Sequence, residues 1–269
     1  DPTITPYKYS PAFAFLFAPL SLLTKHQASL VFFTINFLAF LAILILSKRI
    51  IGANDLKLKE YVLMFSLTIL FSSRFVMHVW QTGQVNLVMI LLTMICLYGL
   101  KDNRFILGGA CVGMAILFKY LPAIFIPYFL IKKRFKLVVA IFLSIGVFSI
   151  MPSILVGWEQ NIQYHKDWIP YISETSLDNS SWYDYKNQSI YSMILRFTSD
   201  NSLYNINFLH LTFHQGLALG VFFGGLLYLG IVLPTKRWDN PNVLDYGLLL
   251  LCMAMFNPNA WMFNYVTFL

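Results

Sequence analysis

The sequence predicts an all-α fold, a polytopic bundle of transmembrane helices with re-entrant elements and one long outer loop. Three observations predict it. The 269 residues are 58% hydrophobic and only 12% charged, with a mean hydropathy of +0.66, whereas a soluble domain averages about 25% charged residues. Apolar runs of roughly 20 residues recur along the chain, enough for helices that cross a ~30 Å hydrocarbon core. Within those runs polar and apolar residues do not alternate, as the strands of a membrane barrel would.

The elements follow in order. Pro11–Leu23 is short and carries Pro19, so it reads as a re-entrant or interfacial element. Ala28–Ser47, Tyr61–Trp80 and Val85–Leu100 read as spans. Phe105–Ile131 is long but interrupted by Lys119 and Pro122, and the proline predicts a bend there because it removes a backbone donor and clashes with the preceding turn. Phe135–Val156 is a further span. The stretch from Gly157 to Gln215 is the one long polar region and reads as an outer loop, with Gln188–Phe197 apolar enough for a short interfacial helix capped by Asn187. Gly216–Pro234 and Val243–Phe256 complete the set. No repeat or linker divides residues 1–269, which read as a single integral-membrane domain. Asp1 is not a methionine and Leu269 lies within an apolar run, so a fragment cut at both ends is expected.

Charge orients the bundle. Most of the 19 basic residues fall in four short loops, at Lys48–Lys59, Lys101/Arg104, Lys132–Lys136 and Lys236–Arg237. The positive-inside rule puts these loops in the cytoplasm, in a multi-pass protein of the plasma (inner) membrane. The net charge of +7 is therefore a topology signal, and no nucleic-acid partner is expected. Cys96, Cys111 and Cys252 lie inside apolar runs without metal-type spacing and read as core thiols. No metal site is expected.

Four polar motifs then collect on the opposite, extracytoplasmic side. Thr82-Gly83-Gln84-Val85-Asn86 sits at a span end, where Gln84 and Asn86 either cap a helix or donate to sugar hydroxyls and phosphate. Arg74, about two turns earlier, either snorkels or faces a cavity. Lys119 beside Pro122 either snorkels or binds a phosphate entering from the lipid, since backbone freed at a break must line protein or water. Asn187-Gln188-Ser189 with Arg196 form either a cap with a surface arginine or an anion site. Asn257-Pro258-Asn259-Ala260-Trp261 reads as an interfacial turn or as part of the same site. Convergence on one face is what makes Arg74, Gln84, Asn86, Lys119, Asn187, Gln188, Arg196, Asn259 and Trp261 candidate substrate-binding residues.

These landmarks, preceded by Tyr7-Lys8-Tyr9-Ser10-Pro11 and Phe17-Ala18-Pro19 and joined by Gly113, resemble glycosyltransferase family 87 along nearly the whole chain. That family belongs to the GT-C superfamily of polyprenyl-phosphate-mannose-dependent mannosyltransferases. The resemblance implies a GT-C bundle and an inverting transfer of a hexose, expected to be mannose. The donor would be a polyprenyl-phosphate sugar and the acceptor a hydroxyl of a glycan or glycolipid, with membrane lipid as surroundings and no cofactor. The family's acidic residue in the first outer loop lies well upstream of its Tyr-x-Tyr-Ser-Pro-like segment, so the catalytic base is expected before Asp1. Relatives carry a histidine soon after the tryptophan of the last motif, where this chain has Met262, Phe263, Asn264 and Tyr265. Two other readings remain open at this stage: a lipid or sugar transporter or flippase, and a non-catalytic membrane subunit.

The charge count makes a direct prediction. With single cysteines at Asn54 and Ser180, an impermeant reagent labels Ser180 and spares Asn54 in intact cells; the reverse pattern would invert the topology.

Overall fold

The computed structural model describes residues 8–52, 57–176, 179–200, 208–233 and 243–268. Asp1, Tyr7, Asn54 and the Lys236–Arg237 pair lie outside the described residues. The described chain is almost wholly helical, with one isolated bridge between Ser199 and Leu211. The helices are α1 (Pro11–Phe17), α2 (Lys25–Ile51), α3 (Leu58–Thr82), α4 (Asn86–Gly99), α5 (Phe105–Phe118) and α6 (Phe125–Ile131). They continue as α7 (Phe135–Ile150), α8 (Ser153–Val156), α9 (Trp158–Ser176), α10 (Asn179–Tyr183), α11 (Ile190–Thr198), α12 (Phe213–Val232) and α13 (Val243–Met255).

Among the described residues, four segments are long and apolar enough to cross a membrane: α2, α3, α12 and the continuous run Phe135–Val156 made by α7 and α8. Their outward faces are hydrocarbon. Leu70 and Phe71 on α3, Phe142 and Leu143 on α7, and Phe222 and Phe223 on α12 are all exposed. Contiguous apolar surface on this scale belongs against lipid. The ends are built locally. Thr24 and Gln27 form a capping box on α2, Thr212 and Gln215 form another on α12, and Gly52 and Gly83 close α2 and α3 in the left-handed conformation.

The interior helix is α4. With 14 residues it is ~21 Å long at 1.5 Å per residue, short of the hydrocarbon thickness. It need not span alone, because Leu87, Met89, Ile90, Cys96 and Leu97 are buried between α2 and α5. Helix α5 in turn lies directly on α7. A Cβ placed at Gly109 would fall 2.4 Å from the Ala140 Cβ, and one at Gly113 would fall 2.8 Å from the Ser144 Cβ. Only glycine permits that approach.

The bend expected near Lys119–Pro122 is present. Helix α5 stops at Phe118, Lys119 is extended (φ −154°, ψ 133°), Leu121–Ile124 form a 3-10 turn, and α6 returns. The Pro11–Leu23 region is likewise too short to cross. Helix α1 and a 3-10 turn pack Phe13 and Phe17 on Phe118, and the Ser10 hydroxyl donates to the Leu117 carbonyl at 2.6 Å. Two expectations need correction. The segment after Gly157 is mostly helical, because α9 is amphipathic with a mean polarity that hides it from hydropathy. The cap of α11 is Ser189, whose hydroxyl accepts from the Ser192 N–H, and not Asn187.

Chain direction places the ends of α3 and α5 and the start of α4 at one end of the bundle. The loops with Lys48–Arg49 and Lys101 meet at the other, where the Lys101 ammonium donates to the Ile50 carbonyl at 3.2 Å. The α5–α7 seam gives a stability prediction. Gly109→Val should destabilise the solubilised protein by at least ~1–3 kcal/mol, the usual range for overpacking. Gly146→Ala, where a Cβ meets nothing within 4 Å, should stay within about 0.5 kcal/mol in the same thermal melts.

Candidate functional site

The end of the bundle that gathers the polar motifs encloses a cavity of about 1000 Å³. Five pieces of chain build it: the strap Lys8–Ser10, the α3–α4 turn, the α5 break, α9, and the segment after α13. Its centre is Lys119. The extended backbone at the break turns this side chain inward. Its ammonium donates to the Asn86 Oδ1 at 2.8 Å, the Gln84 Oε1 at 3.1 Å and the Asn264 Oδ1 at 3.4 Å, and lies 4.3 Å from the centre of the Phe263 ring. All three donors meet neutral oxygens. Among the described residues Lys119 makes no ion pair, and the cavity lining holds two lysines, Lys8 and Lys119, with no carboxylate. The arrangement suits an anion.

Each neighbour is itself fixed. Asn86 is fully buried, and its amide donates to the Phe263 carbonyl at 2.8 Å and to the Asn264 Oδ1 at 3.1 Å. Asn264 donates to the Asn259 carbonyl at 2.9 Å. The Tyr120 hydroxyl donates to the Asn257 Oδ1 at 2.7 Å, and the Tyr9 hydroxyl donates to the Gln84 Oε1 at 3.3 Å. Burial pushes the Tyr9 phenol above its ordinary pKa, which keeps it a donor.

Of the residues expected from the sequence, Gln84, Lys119, Asn259 and Trp261 line this cavity, and Asn86 lies directly beneath Lys119. Asn187 stands behind the Asn257–Ala260 turn as a staple. Its Nδ2 donates to the Pro258 carbonyl at 2.7 Å and the Ser181 carbonyl at 3.1 Å, while its Oδ1 accepts from the Ala260 and Ser189 N–H groups, both at 3.1 Å. Arg196 grips the Asn187 carbonyl at 2.7 Å and the Asp184 carbonyl at 3.0 Å, which places it behind the wall and away from the lining. Gln188 is exposed; its backbone N–H donates to the Ala260 carbonyl at 3.0 Å and its side-chain amide donates to the Tyr185 carbonyl. Arg74 is exposed on α3 outside the cavity lining. Lys8, Tyr120, Asn257 and Trp168 are lining residues that the motifs did not single out. Lys8 and Asn257 lay within quoted motifs and Tyr120 follows Lys119; Trp168 lies on α9, whose helical period was masked by its polarity.

A second cavity, about 500 Å³, adjoins the first and shares Tyr9 and Trp168 as walls. Its other walls include Pro11, Phe15, Leu155, Val156 and Tyr171, and it is almost wholly apolar. The carboxylate at its rim is Asp167, held by a 2.8 Å hydrogen bond from the Gln163 amide.

The sequence matches glycosyltransferase family 87 over residues 7–263. The chain belongs to glycosyltransferase family 87. A relative is the alpha-(1->3)-arabinofuranosyltransferase of Corynebacterium glutamicum, 26% identical over 194 residues; the alignment covers 71% of this chain and 43% of the relative. The chain thus spans less than half the length of that protein. No solved structure matches. The family 87 match takes in every piece of the polar cavity: the strap, the α3–α4 turn, the lysine break, α9 and the turn after α13 up to Phe263.

The staple is testable by stability. Asn187→Leu leaves the Pro258 carbonyl and two N–H groups unpaired in a buried place. It should cost ~1–3 kcal/mol for each group that stays dry. Gln188→Ala, at an exposed side chain, should change thermal unfolding by no more than about 0.5 kcal/mol.

Proposed function

We propose that this family 87 chain is the catalytic membrane portion of a glycosyltransferase that moves a sugar from a polyprenyl-phosphate donor to an acceptor hydroxyl on the extracytoplasmic face. The observation that carries the reading is an ammonium without a carboxylate partner, lining a polar cavity that adjoins an apolar one. A lipid-linked sugar phosphate has that division of chemistry: an anionic headgroup, a hydroxyl-rich sugar and a hydrocarbon chain. The polar cavity takes the first two and the apolar cavity takes the start of the chain.

The transfer is a displacement at the anomeric carbon. A carboxylate takes the acceptor hydroxyl's proton, the oxygen bonds to the anomeric carbon from the face opposite the phosphate, and the bond to the phosphate oxygen breaks with inversion. The phosphate leaves on its lipid as an anion. Lys119 supplies the positive field at which that charge develops, and it is already in place before reaction. The amide-rich walls orient the sugar, and the two aromatic residues shared by the cavities, Tyr9 and Trp168, mark where headgroup gives way to chain.

The sugar expected from the sequence is a hexose, mannose in particular; the relative's name adds a pentofuranose as candidate. Full-length protein in proteoliposomes, offered polyprenyl-phosphate mannose and polyprenyl-phosphate arabinofuranose separately, decides between them by which donor yields free polyprenyl phosphate together with a glycosylated acceptor. Movement of either lipid across the bilayer without product would instead make the protein a flippase.

Lys119→Met keeps the apolar stem and removes the charge. The transfer rate should fall at least ~100-fold, the loss seen when one preorganised stabiliser of a developing anion is deleted. Near-normal transfer by this variant would exclude Lys119 from stabilising the leaving phosphate.

A further inference from the structure

The cavity's amides are not equivalent, and their neighbours set their orientations. An ammonium carries donors only. Whatever amide atom faces Lys119 must therefore be oxygen, which fixes Gln84 with Oε1 toward the lysine. The Tyr9 hydroxyl, donating to the same oxygen, agrees. The Gln84 Nε2 is then the atom left over, and it makes no hydrogen bond to any described residue. A second chain of constraints fixes Asn259. Two backbone N–H groups point at the Asn187 Oδ1, so the other Asn187 atom is the NH₂, and the Asn259 atom 3.4 Å from it is Oδ1, the orientation that avoids two NH₂ groups facing each other. The Asn259 Nδ2 has no hydrogen-bond partner among the described residues either.

The other amides at this end are at least partly consumed. Both hydrogens of the Asn86 amide are used, the Asn187 amide is spent on carbonyls, and Asn257 and Asn264 each donate to the Asn259 carbonyl. Gln84 and Asn259 alone among them have wholly unpaired NH₂ groups on the cavity wall. They stand on either side of the Lys119–Asn264 link, since Asn264 touches both the ammonium and the Asn259 carbonyl.

We propose that the Gln84 Nε2 and the Asn259 Nδ2 are the groups that donate hydrogen bonds to the phosphate oxygens of the lipid substrate, and that Lys119 is a positioning residue that locks the Gln84 amide and provides the field. This rests on the reading of the cavity as a lipid-phosphate site. The ammonium's own hydrogens are already directed at three amide oxygens, so an arriving anion meets amide N–H groups first, with the charge one residue behind them. Neutral donors in front of a fixed cation attract an anion and release it once the chemistry is over, which a direct ammonium–phosphate contact does less readily.

The test uses full-length, detergent-solubilised protein with farnesyl phosphate and farnesol as probes, and dissociation constants read by calorimetry. Gln84→Glu retains an oxygen toward Lys119 and Tyr9 and deletes the donor, but its charge also pairs with Lys119, so Asn259→Leu is the variant that isolates a lost donor. Asn259→Leu is uncharged, keeps the backbone that ties the turn, and also deletes the donor, so a loss there is not repulsion. Each variant should bind farnesyl phosphate at least ~10-fold more weakly, about the worth of one hydrogen bond to a charged group, while farnesol binding stays unchanged. If Gln84→Glu lowers the melting temperature, Asn259→Leu carries the test alone. Farnesyl phosphate affinity within about threefold of the parent in a folded variant overturns the proposal. A parent protein that binds farnesol and farnesyl phosphate equally overturns the lipid-phosphate reading itself, a result separable from the first.

Discussion

A lysine ammonium can only donate, and once it is removed from bulk water every one of its hydrogens needs an acceptor. Lys119 imposes that requirement on the whole end of the bundle. Its acceptors come from places 33, 35 and 145 residues away in the chain. Satisfying it aligns the start of α4, the end of α3 and the turn after α13 around one point. Those acceptors are amides and not carboxylates. An Asp or Glu would satisfy the ammonium equally well and cancel its charge, whereas amide oxygens satisfy it without supplying a counter-charge. The hydrogen bonds hold the side chain, and the field remains available to something else.

Backbone breaks make this possible. A continuous helix from Phe105 to Ile131 would have carried Lys119 along its side, toward lipid or a neighbouring helix. The extended residue at the break and the 3-10 turn after it redirect the side chain to the bundle's interior. Freed backbone groups then find local partners: the Lys119 N–H still bonds the Ala115 carbonyl and the Ser10 hydroxyl takes the Leu117 carbonyl. The same logic runs through the last motif, where Asn187 and Asn257 supply the hydrogen bonds that the chain between α13 and Trp261 lacks for want of a regular helix.

The bundle, its long spans and the break at Lys119 were legible in the sequence because each rests on a local signal: apolar run length, or a proline beside a charge. Helix α9 was not, because an amphipathic helix lying across an interface has nearly average polarity and shows itself only by period. The roles of the individual amides were hidden for a different reason. Gln84 and Asn86 are two residues apart and look alike on paper, yet one offers an unpaired NH₂ to the cavity and the other spends every hydrogen on the chain after α13. That difference is set by partners far away in sequence. Arg196 and Arg74 were gathered with them on charge and position alone, but the guanidinium of Arg196 serves two carbonyls of the wall and Arg74 faces outward.

The shortness of α4 bears on the membrane itself. Along α2, 27 residues make ~40 Å of helix, while α4 beside it measures ~21 Å. Because α4 is buried between α2 and α5, the interior of the bundle is shorter there than the flank α2 turns to lipid, and the Asn86 end of α4 finishes among the protein's own polar groups.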